Sequence, residues 1–171
     1  MSDSIQNYPS GIKSRPFRDP DDLPLLYRRY ASTRWEELAL TQWSDEEKNA
    51  FLNNQFRTQH QAYMKAGYAN PRFDILELDR TPIGRLYISR GRREIRIIDI
   101  ALLPDMRNRG YGKAILQQIL KEGQDQGTKV SIHVESNNPA MQLYLRLGFA
   151  KTDETGVYHQ MEWVPHGTSN A

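Results

Sequence analysis

The chain has 171 residues, a net charge of +2 from 23 basic and 21 acidic side chains, and no cysteine. This length suits one domain with a core of its own. The near-neutral charge gives no reason to expect nucleic acid or a membrane as a partner. The lack of cysteine excludes disulfides, thiolate metal sites and an acyl-cysteine intermediate. The 4 histidines are scattered without ligand spacing, so we expect no metal.

Polar segments at both ends of the sequence predict flexible tails at residues 1–11 and 165–171, around one domain at residues 12–164. No apolar run approaches the ~20 residues that span a bilayer. The first ten residues lack the apolar centre of a secretory signal. We therefore expect a cytoplasmic protein.

The first part of the domain predicts one strand followed by two helices. Residues 12–17 have the pattern of a strand. Asp19 and Pro20 suit the cap and the first position of a helix. Ser44 and Glu47 have the spacing of a capping box, which predicts the start of a second, longer helix.

The remainder predicts a mixed sheet. Short turns separate three strands, which indicates an antiparallel meander. These strands are Arg72–Leu78, Ile83–Ser89 and Glu94–Leu103. Two pairs of a helix and a strand follow, namely Gly110–Gln126 with Val130–Val134, and Asn138–Leu147 with Val157–Trp163. The order predicts an α/β fold with helices on both faces of a mixed sheet.

The most informative segment joins the last strand of the meander to the next helix. Its residues are Arg107, Asn108, Arg109, Gly110, Tyr111, Gly112 and Lys113. Free amides at a helix N-terminus bind phosphate, glycines let a ligand approach the backbone, and cationic side chains add donors. We therefore predict a diphosphate-binding loop. The alternative is that the two glycines only allow close packing of strand and helix.

Two common phosphate-binding motifs do not fit this loop. The phosphate loop of NTPases needs a hydroxyl residue after its lysine, whereas Ala114 follows Lys113. The dinucleotide fingerprint needs a third glycine where Ile115 stands. These differences argue against an enzyme that depends on ATP or NAD.

The pattern Arg107-x-x-Gly110-x-Gly112 resembles the Arg/Gln-x-x-Gly-x-Gly/Ala signature of the GNAT superfamily of N-acetyltransferases. The preceding strand Ile100–Pro104 and the segment Asn137–Phe149 are similar to two further parts of the family pattern. The resemblance covers nearly the whole chain. It implies a GNAT-like fold, in which a mostly antiparallel sheet is splayed at one parallel strand pair.

The resemblance also implies acetyl-CoA as co-substrate. Its pantetheine arm would enter the splay and pair with the backbone of Leu102 and Leu103, where the Leu102 amide would polarise the thioester carbonyl. The amides of residues 107–113 would hold the pyrophosphate. Asn138 matches a position that contacts the CoA arm in the family, and it is also a candidate helix cap.

For catalysis, Tyr144 matches the family's usual general acid next to the cofactor, and the alternative is a core residue. A tyrosine with a pKa near ~10 can protonate a thiolate whose conjugate acid has a pKa of ~8.5. Many family members place a glutamate as base where this chain has Arg96. Asp99, in an apolar strand where burial would raise its pKa, is our first candidate base, and a buried aspartate paired with an arginine is the alternative. Glu135 and His133 follow, and a water chain is a further option.

Candidate acceptor-binding residues are Trp35, Glu36, Tyr87 and Glu135. Acids and aromatic rings together suit a cationic amine. The alternative is that these residues serve packing and a solvated face.

The sequence therefore predicts an N-acetyltransferase that moves an acetyl group from acetyl-CoA directly to a primary amine of a small molecule, peptide or protein. Two alternatives keep the same fold. One is a transferase for another acyl-CoA, and the other is a module that binds acyl-CoA without catalysis. Exposed strand edges would allow a homodimer.

Overall fold

A computed structural model describes residues 5–167, which form one mixed sheet of eight strands and four α-helices. The strands are β1 Gln6–Asn7, β2 Ile12–Pro16, β3 Pro71–Leu78, β4 Thr81–Arg90, β5 Glu94–Leu102, β6 Lys129–Glu135, β7 Ala150–Thr155 and β8 Tyr158–Trp163. The helices are α1 Leu23–Arg34, α2 Asp45–Lys65, α3 Tyr111–Gln126 and α4 Met141–Arg146.

The spatial order of the strands is β1-β2-β3-β4-β5-β6-β8-β7. Each neighbouring pair is antiparallel except β5 and β6, which are parallel. The parallel pair requires a crossover, and α3 supplies it. The mostly antiparallel mixed sheet predicted from the sequence is confirmed.

The two faces of the sheet carry separate cores. Successive side chains of a strand point to opposite faces. On β3, Ile75 packs with buried residues of α1 and α2, including Leu26 and Phe56. Its neighbour Leu76 belongs to the other core, which contains Ile115 of α3. Helices therefore cover both faces, as predicted.

The start of α1 differs from the prediction. The helix begins at Leu23, whereas Asp19 and Pro20 suggested an earlier start. Asp22 accepts two hydrogen bonds from the Arg15 guanidinium, at 2.8 and 2.9 Å, and one from the Arg18 amide at 2.7 Å. These bonds hold the preceding residues as a turn, so the helix starts after them. The capping box of Ser44 and Glu47 at the start of α2 is confirmed.

The segments expected as tails are partly ordered into the fold. Gln6 pairs with Ser14 across β1 and β2, and the Tyr8 side chain is buried in the core. At the other end, the backbone of His166 exchanges two hydrogen bonds of 2.9 Å with the Gln124 side chain. Residues 1–4 and 168–171 lie outside the described residues.

Close packing of β4 against the end of β5 depends on Gly84. A Cβ at this position would overlap the Ala101 carbonyl oxygen and lie 2.9 Å from the Leu102 Cα. We expect Gly84→Ala to lower the free energy of unfolding by about 1–3 kcal/mol, because the strands would have to separate. Urea unfolding measures this change. Gly112→Ala is the matched control, since its Cβ would have ordinary contacts, and equal stability of the two variants would contradict the argument.

Candidate active site

A gap opens between the two parallel strands in the middle of the sheet. Their pairing ends where Ile97 lies opposite Ile132. Both strands continue beyond this pair, β5 to Leu102 and β6 to Glu135. The gap is therefore bounded by backbone that is not used in β5–β6 pairing.

A β-bulge precedes the gap. Tyr87 of β4 lies opposite Asp99, whereas the next residue, Ile88, lies opposite Ile97. Ile98 is thus the extra residue on β5. Because a bulge bends its strand and increases the local twist, it helps to turn the end of β5 away from β6.

The backbone at the end of β5 faces this gap. Leu103 donates its N–H to the Ile83 carbonyl of β4 at 2.8 Å. Successive residues of an antiparallel strand direct their backbone groups to opposite sides, so the N–H and C=O of Leu102 point away from β4. Arg107 Nε donates to this Leu102 carbonyl at 3.1 Å. The Leu102 amide is therefore directed into the gap.

The glycine-bearing loop leads from β5 to the start of α3. Gly110 is the N-terminal cap residue of α3, has a φ of 83°, and leaves the helix without a side-chain cap. The first intrahelical bond runs from the Ala114 amide to the Gly110 carbonyl. The amides of the first turn are thus available to an anion, and the exposed side chains of Arg109 and Lys113 flank them.

Packing does not explain the two glycines of the loop. A Cβ at Gly110 would have no atom within 4 Å, and one at Gly112 would lie 3.9 Å from the nearest atom, on Leu102. The positive φ of Gly110 gives that residue a conformational reason. Gly112 has neither reason, so the open space beside it fits a ligand that approaches the helix terminus.

Tyr144 of α4 lies in the core beneath this region. Its ring packs edge-on against Phe149 at 5.9 Å, and only 4% of the residue is exposed. Burial, and after it the charge of Asp99, raises the pKa of Tyr144 to about 12. The phenol therefore keeps its proton at neutral pH. Just before α4, the Asn138 side chain accepts the Ala140 amide at 2.8 Å. The cap residue of α4 is Ala140, so Asn138 closes the preceding turn and does not cap the helix as predicted.

Asp99 forms an ion pair in the structure. Its carboxylate lies 2.5 Å from Nε of Arg85, which is 1% exposed, whereas 20% of the Asp99 side chain is exposed. Burial alone would raise the pKa of Asp99, but the charges of Arg85 and Arg29 outweigh it, and the pKa lies below its usual value. The expectation of a raised pKa was wrong because the sequence did not show the arginines. The carboxylate is ionised at neutral pH.

A cluster of polar side chains surrounds this ion pair, and we call it the arginine cluster. It comprises Arg29 of α1, Tyr63 of α2, Arg85 and Tyr87 of β4, and Asp99 of β5. The Arg85 guanidinium lies 5.5 Å from the centre of the Tyr63 ring and 4.8 Å from that of Tyr87. Sequence reasoning missed Arg29, Tyr63 and Arg85. The feature of the sequence that could have identified Arg85 is its charged side chain within an otherwise apolar strand.

The remaining candidates lie apart from this cluster or behave differently from expectation. Tyr87 is fully buried, so it lies beneath the surface and does not line a cleft. Glu36 is exposed, and the Lys48 ammonium lies 5.6 Å from the centre of the Trp35 ring. Glu135 is exposed at the end of β6.

His133, the third candidate base, is exposed and hydrogen-bonded to Gln160 at 2.8 Å. Among residues 5–167, no helix is both long and apolar enough to cross a membrane. The same residues contain no group of three or more acidic or histidine side chains placed to hold a metal ion.

Comparison with solved structures shows the same fold in several acetyltransferases. The chain is 18% identical to the PaiA N-acetyltransferase of Thermoplasma acidophilum in complex with coenzyme A, with a TM-score of 0.63 over 90% of this chain and 98% of that one. The N-acetyltransferase PseH of Campylobacter jejuni, in complex with acetyl coenzyme A, is 18% identical with a TM-score of 0.55 over the same shares. Naa50 of Arabidopsis thaliana, in complex with the bisubstrate analogue CoA-Ac-MVNAL, is 16% identical with a TM-score of 0.54, again over 90% and 98%.

No curated protein matches the sequence. The sequence model of the Acetyltransferase (GNAT) family, however, matches residues 30–149, which is well over half of the chain. This range contains the bulged β5, the glycine-bearing loop and Tyr144. The chain therefore belongs to the GNAT acetyltransferase family, and it is an acyltransferase enzyme.

Proposed function

We propose that this chain transfers the acetyl group of acetyl-CoA directly to a primary amine. The observation that carries the proposal is the gap beside β5, with the Leu102 amide directed into it and the uncapped start of α3 at its end. With no cysteine in the chain, an acyl-cysteine intermediate is excluded. Direct attack of the amine on the thioester is the mechanism that fits these residues.

The cofactor would be held mainly by backbone. The amides of residues 107–113, and above all those of the first turn of α3, are suited to the pyrophosphate because they combine free donors with the positive end of the helix dipole. Arg109 and Lys113 add charge at the surface. The pantetheine arm would contact Leu102 and Leu103 within the gap and Asn138 beside it.

During transfer, negative charge develops first on the carbonyl oxygen and then on the departing sulfur, and one group of this chain would stabilise or neutralise each. As the amine nitrogen bonds to the carbonyl carbon, the Leu102 amide stabilises the negative charge that develops on the carbonyl oxygen. As the carbon–sulfur bond breaks, Tyr144 donates its proton to the departing CoA thiolate. The raised pKa of Tyr144 keeps this proton available at neutral and alkaline pH.

We propose that Asp99 accepts a hydrogen bond from the acceptor amine and passes its proton to water. An ionised carboxylate of lowered pKa is a weak base, so its main effect is orientation.

Thermal unfolding in the presence of ligands tests the cofactor assignment. Acetyl-CoA at 100 times its dissociation constant should stabilise the native state by ~2.7 kcal/mol. For a chain of this size, that corresponds to a rise in Tm of roughly 5–10 °C. We expect a rise with acetyl-CoA and with CoA, and none with ATP or NAD at the same concentration. If folded protein shows no rise with either CoA ligand at millimolar concentration, the proposed function is wrong.

A further inference from the structure

We propose that the acceptor is an amine that also carries a carboxylate, as an amino acid does, and that Arg29 and Arg85 bind this carboxylate. The inference rests on the proposed function and narrows it to a class of acceptor. It differs from the expectation from sequence, in which acidic and aromatic side chains would have recognised a purely cationic amine.

The first support is that the arginine cluster has donors without partners. Arg85 uses Nε for its ion pair with Asp99, and its Nη1 is enclosed yet has no hydrogen-bond partner among residues 5–167. Nε of Arg29 is likewise enclosed and has no hydrogen-bond partner within the described part of the chain. Because a buried polar atom without a partner is costly, two such donors in one cluster indicate that a further group belongs there.

The second support is the balance of charge. In the described structure, Asp99 is the one carboxylate among the leading influences on the pKa values of the other cluster members, Arg29, Tyr63, Arg85 and Tyr87. The Arg29 and Arg85 charges oppose this single negative charge, and Arg34 contributes more weakly. His60 adds little further positive charge, because burial and the Arg85 charge lower its pKa. The cluster therefore has an excess of positive charge, which an anionic ligand would neutralise.

The unpaired atoms also select the kind of ligand. Guanidinium groups have only donors, and a planar carboxylate accepts two of them in parallel. A purely cationic amine, which has only donors, would add donors and positive charge to a cluster that already has an excess of both. A carboxylate would accept from both arginines, while the amine of the same molecule donates to Asp99.

The position of the cluster fits a short acceptor. Asp99 precedes Leu102 by three residues on β5, which corresponds to roughly 10 Å of extended strand. Asp99, Arg29 and Tyr63 are each partly exposed, so the cluster is open to solvent on that side. An acceptor that enters here would place its carboxylate at the arginines and its amine towards the Leu102 amide.

Paired ligands test this inference with one readout of binding and one of catalysis. The common L-amino acids would each be compared with the corresponding carboxamide, which keeps the amine and side chain and removes the negative charge. The first readout is the Tm of the CoA-saturated protein at millimolar ligand. The second is the rate of thiol release from acetyl-CoA. We expect at least one acid to raise the Tm, and its kcat/KM to exceed that of the amide by about 10- to 100-fold, as for a lost charged hydrogen bond.

Substitutions then locate the carboxylate site. Arg29→Gln should lower kcat/KM for the preferred acid by about tenfold or more and leave that for its amide nearly unchanged. Arg85 is not a suitable position for this test, because its replacement would leave the Asp99 carboxylate without its ion-pair partner and destabilise the fold. The control is Arg92→Gln, which removes an exposed arginine at the β4–β5 turn and should keep the preference for acids.

The outcomes separate the two proposals. Amides that bind or react as well as the acids would overturn the carboxylate inference while acetyl transfer stands. The carboxylate inference is also wrong if no carboxylate raises the Tm of the CoA-saturated protein, or if Arg29→Gln and Arg92→Gln have equal effects. Failure of CoA itself to raise the Tm would instead reject the proposed function, on which the inference rests.

Discussion

Replacing Tyr144 by phenylalanine should reduce kcat for acetyl transfer by about 100-fold or more, the range of a lost general acid. The thiolate of CoA is the leaving group, and without the phenol it must depart unprotonated or take a proton from water. Phenylalanine preserves the edge-on contact with Phe149, so the Tm and the affinity for acetyl-CoA should change little. Thiol release under single-turnover conditions measures the chemical step.

The pH dependence of the same reaction gives a second measure of Tyr144. Burial and the Asp99 charge raise the pKa of Tyr144 to about 12, so the protonated, donating form persists until the pH approaches that value. In the wild type, kcat should therefore rise or stay level between roughly pH 7 and 10, as the amine loses its proton. If Tyr144→Phe left kcat unchanged at every pH, Tyr144 would be a core residue without a catalytic role.

Replacing Gly112 by leucine should weaken binding of CoA at least about tenfold without destabilising the fold, because a side chain at the start of α3 would occupy the space proposed for the pyrophosphate. The Cβ itself would meet Leu102 at an ordinary 3.9 Å, so packing does not forbid the substitution. Leucine also has a higher helix propensity than glycine, and the free energy of unfolding should rise or stay constant. Titration calorimetry with CoA and urea unfolding measure the two quantities separately.

Gly112→Ala is the matched control. It adds the same Cβ and a similar gain in helix propensity, of roughly 0.5–1 kcal/mol, but no atoms beyond the Cβ. Alanine also satisfies the Arg/Gln-x-x-Gly-x-Gly/Ala pattern that the loop resembles. We expect Gly112→Ala to be slightly more stable than the wild type and to bind CoA nearly as well. Equal CoA affinity of the leucine variant would place the pyrophosphate elsewhere.

Much of the fold was accessible from sequence because its signals are local. The short turns between three strands predicted the meander β3–β5, and Ser44 with Glu47 predicted the start of α2. The start of α1 was misplaced, because the bonds from Arg15 to Asp22 bring β2 and the residues before the helix together. Those bonds depend on tertiary contacts that a local pattern does not contain.

The candidate cofactor-binding loop could be proposed from sequence, whereas the arginine cluster could not, for the same reason. The loop 107–113 is one continuous segment, so its glycines and cations could be read together. The arginine cluster is assembled from α1, α2, β4 and β5, and its members Arg29 and Asp99 are seventy positions apart in the chain. The ion pair of Asp99 with Arg85 reversed the expected direction of the Asp99 pKa.

The sequence by itself determined the family, the mixed sheet with helices on both faces, and the glycine-bearing loop at the start of α3. It did so because short turns between strands, helix capping and a loop of glycines and cations are each encoded by residues close together in the chain. The tertiary structure alone decided where β5 and β6 separate, that Asp99 is ionised, and that two arginines with unpaired donors lie beside it. These properties arise from burial and from charges on different elements, and both exist only once the chain has folded.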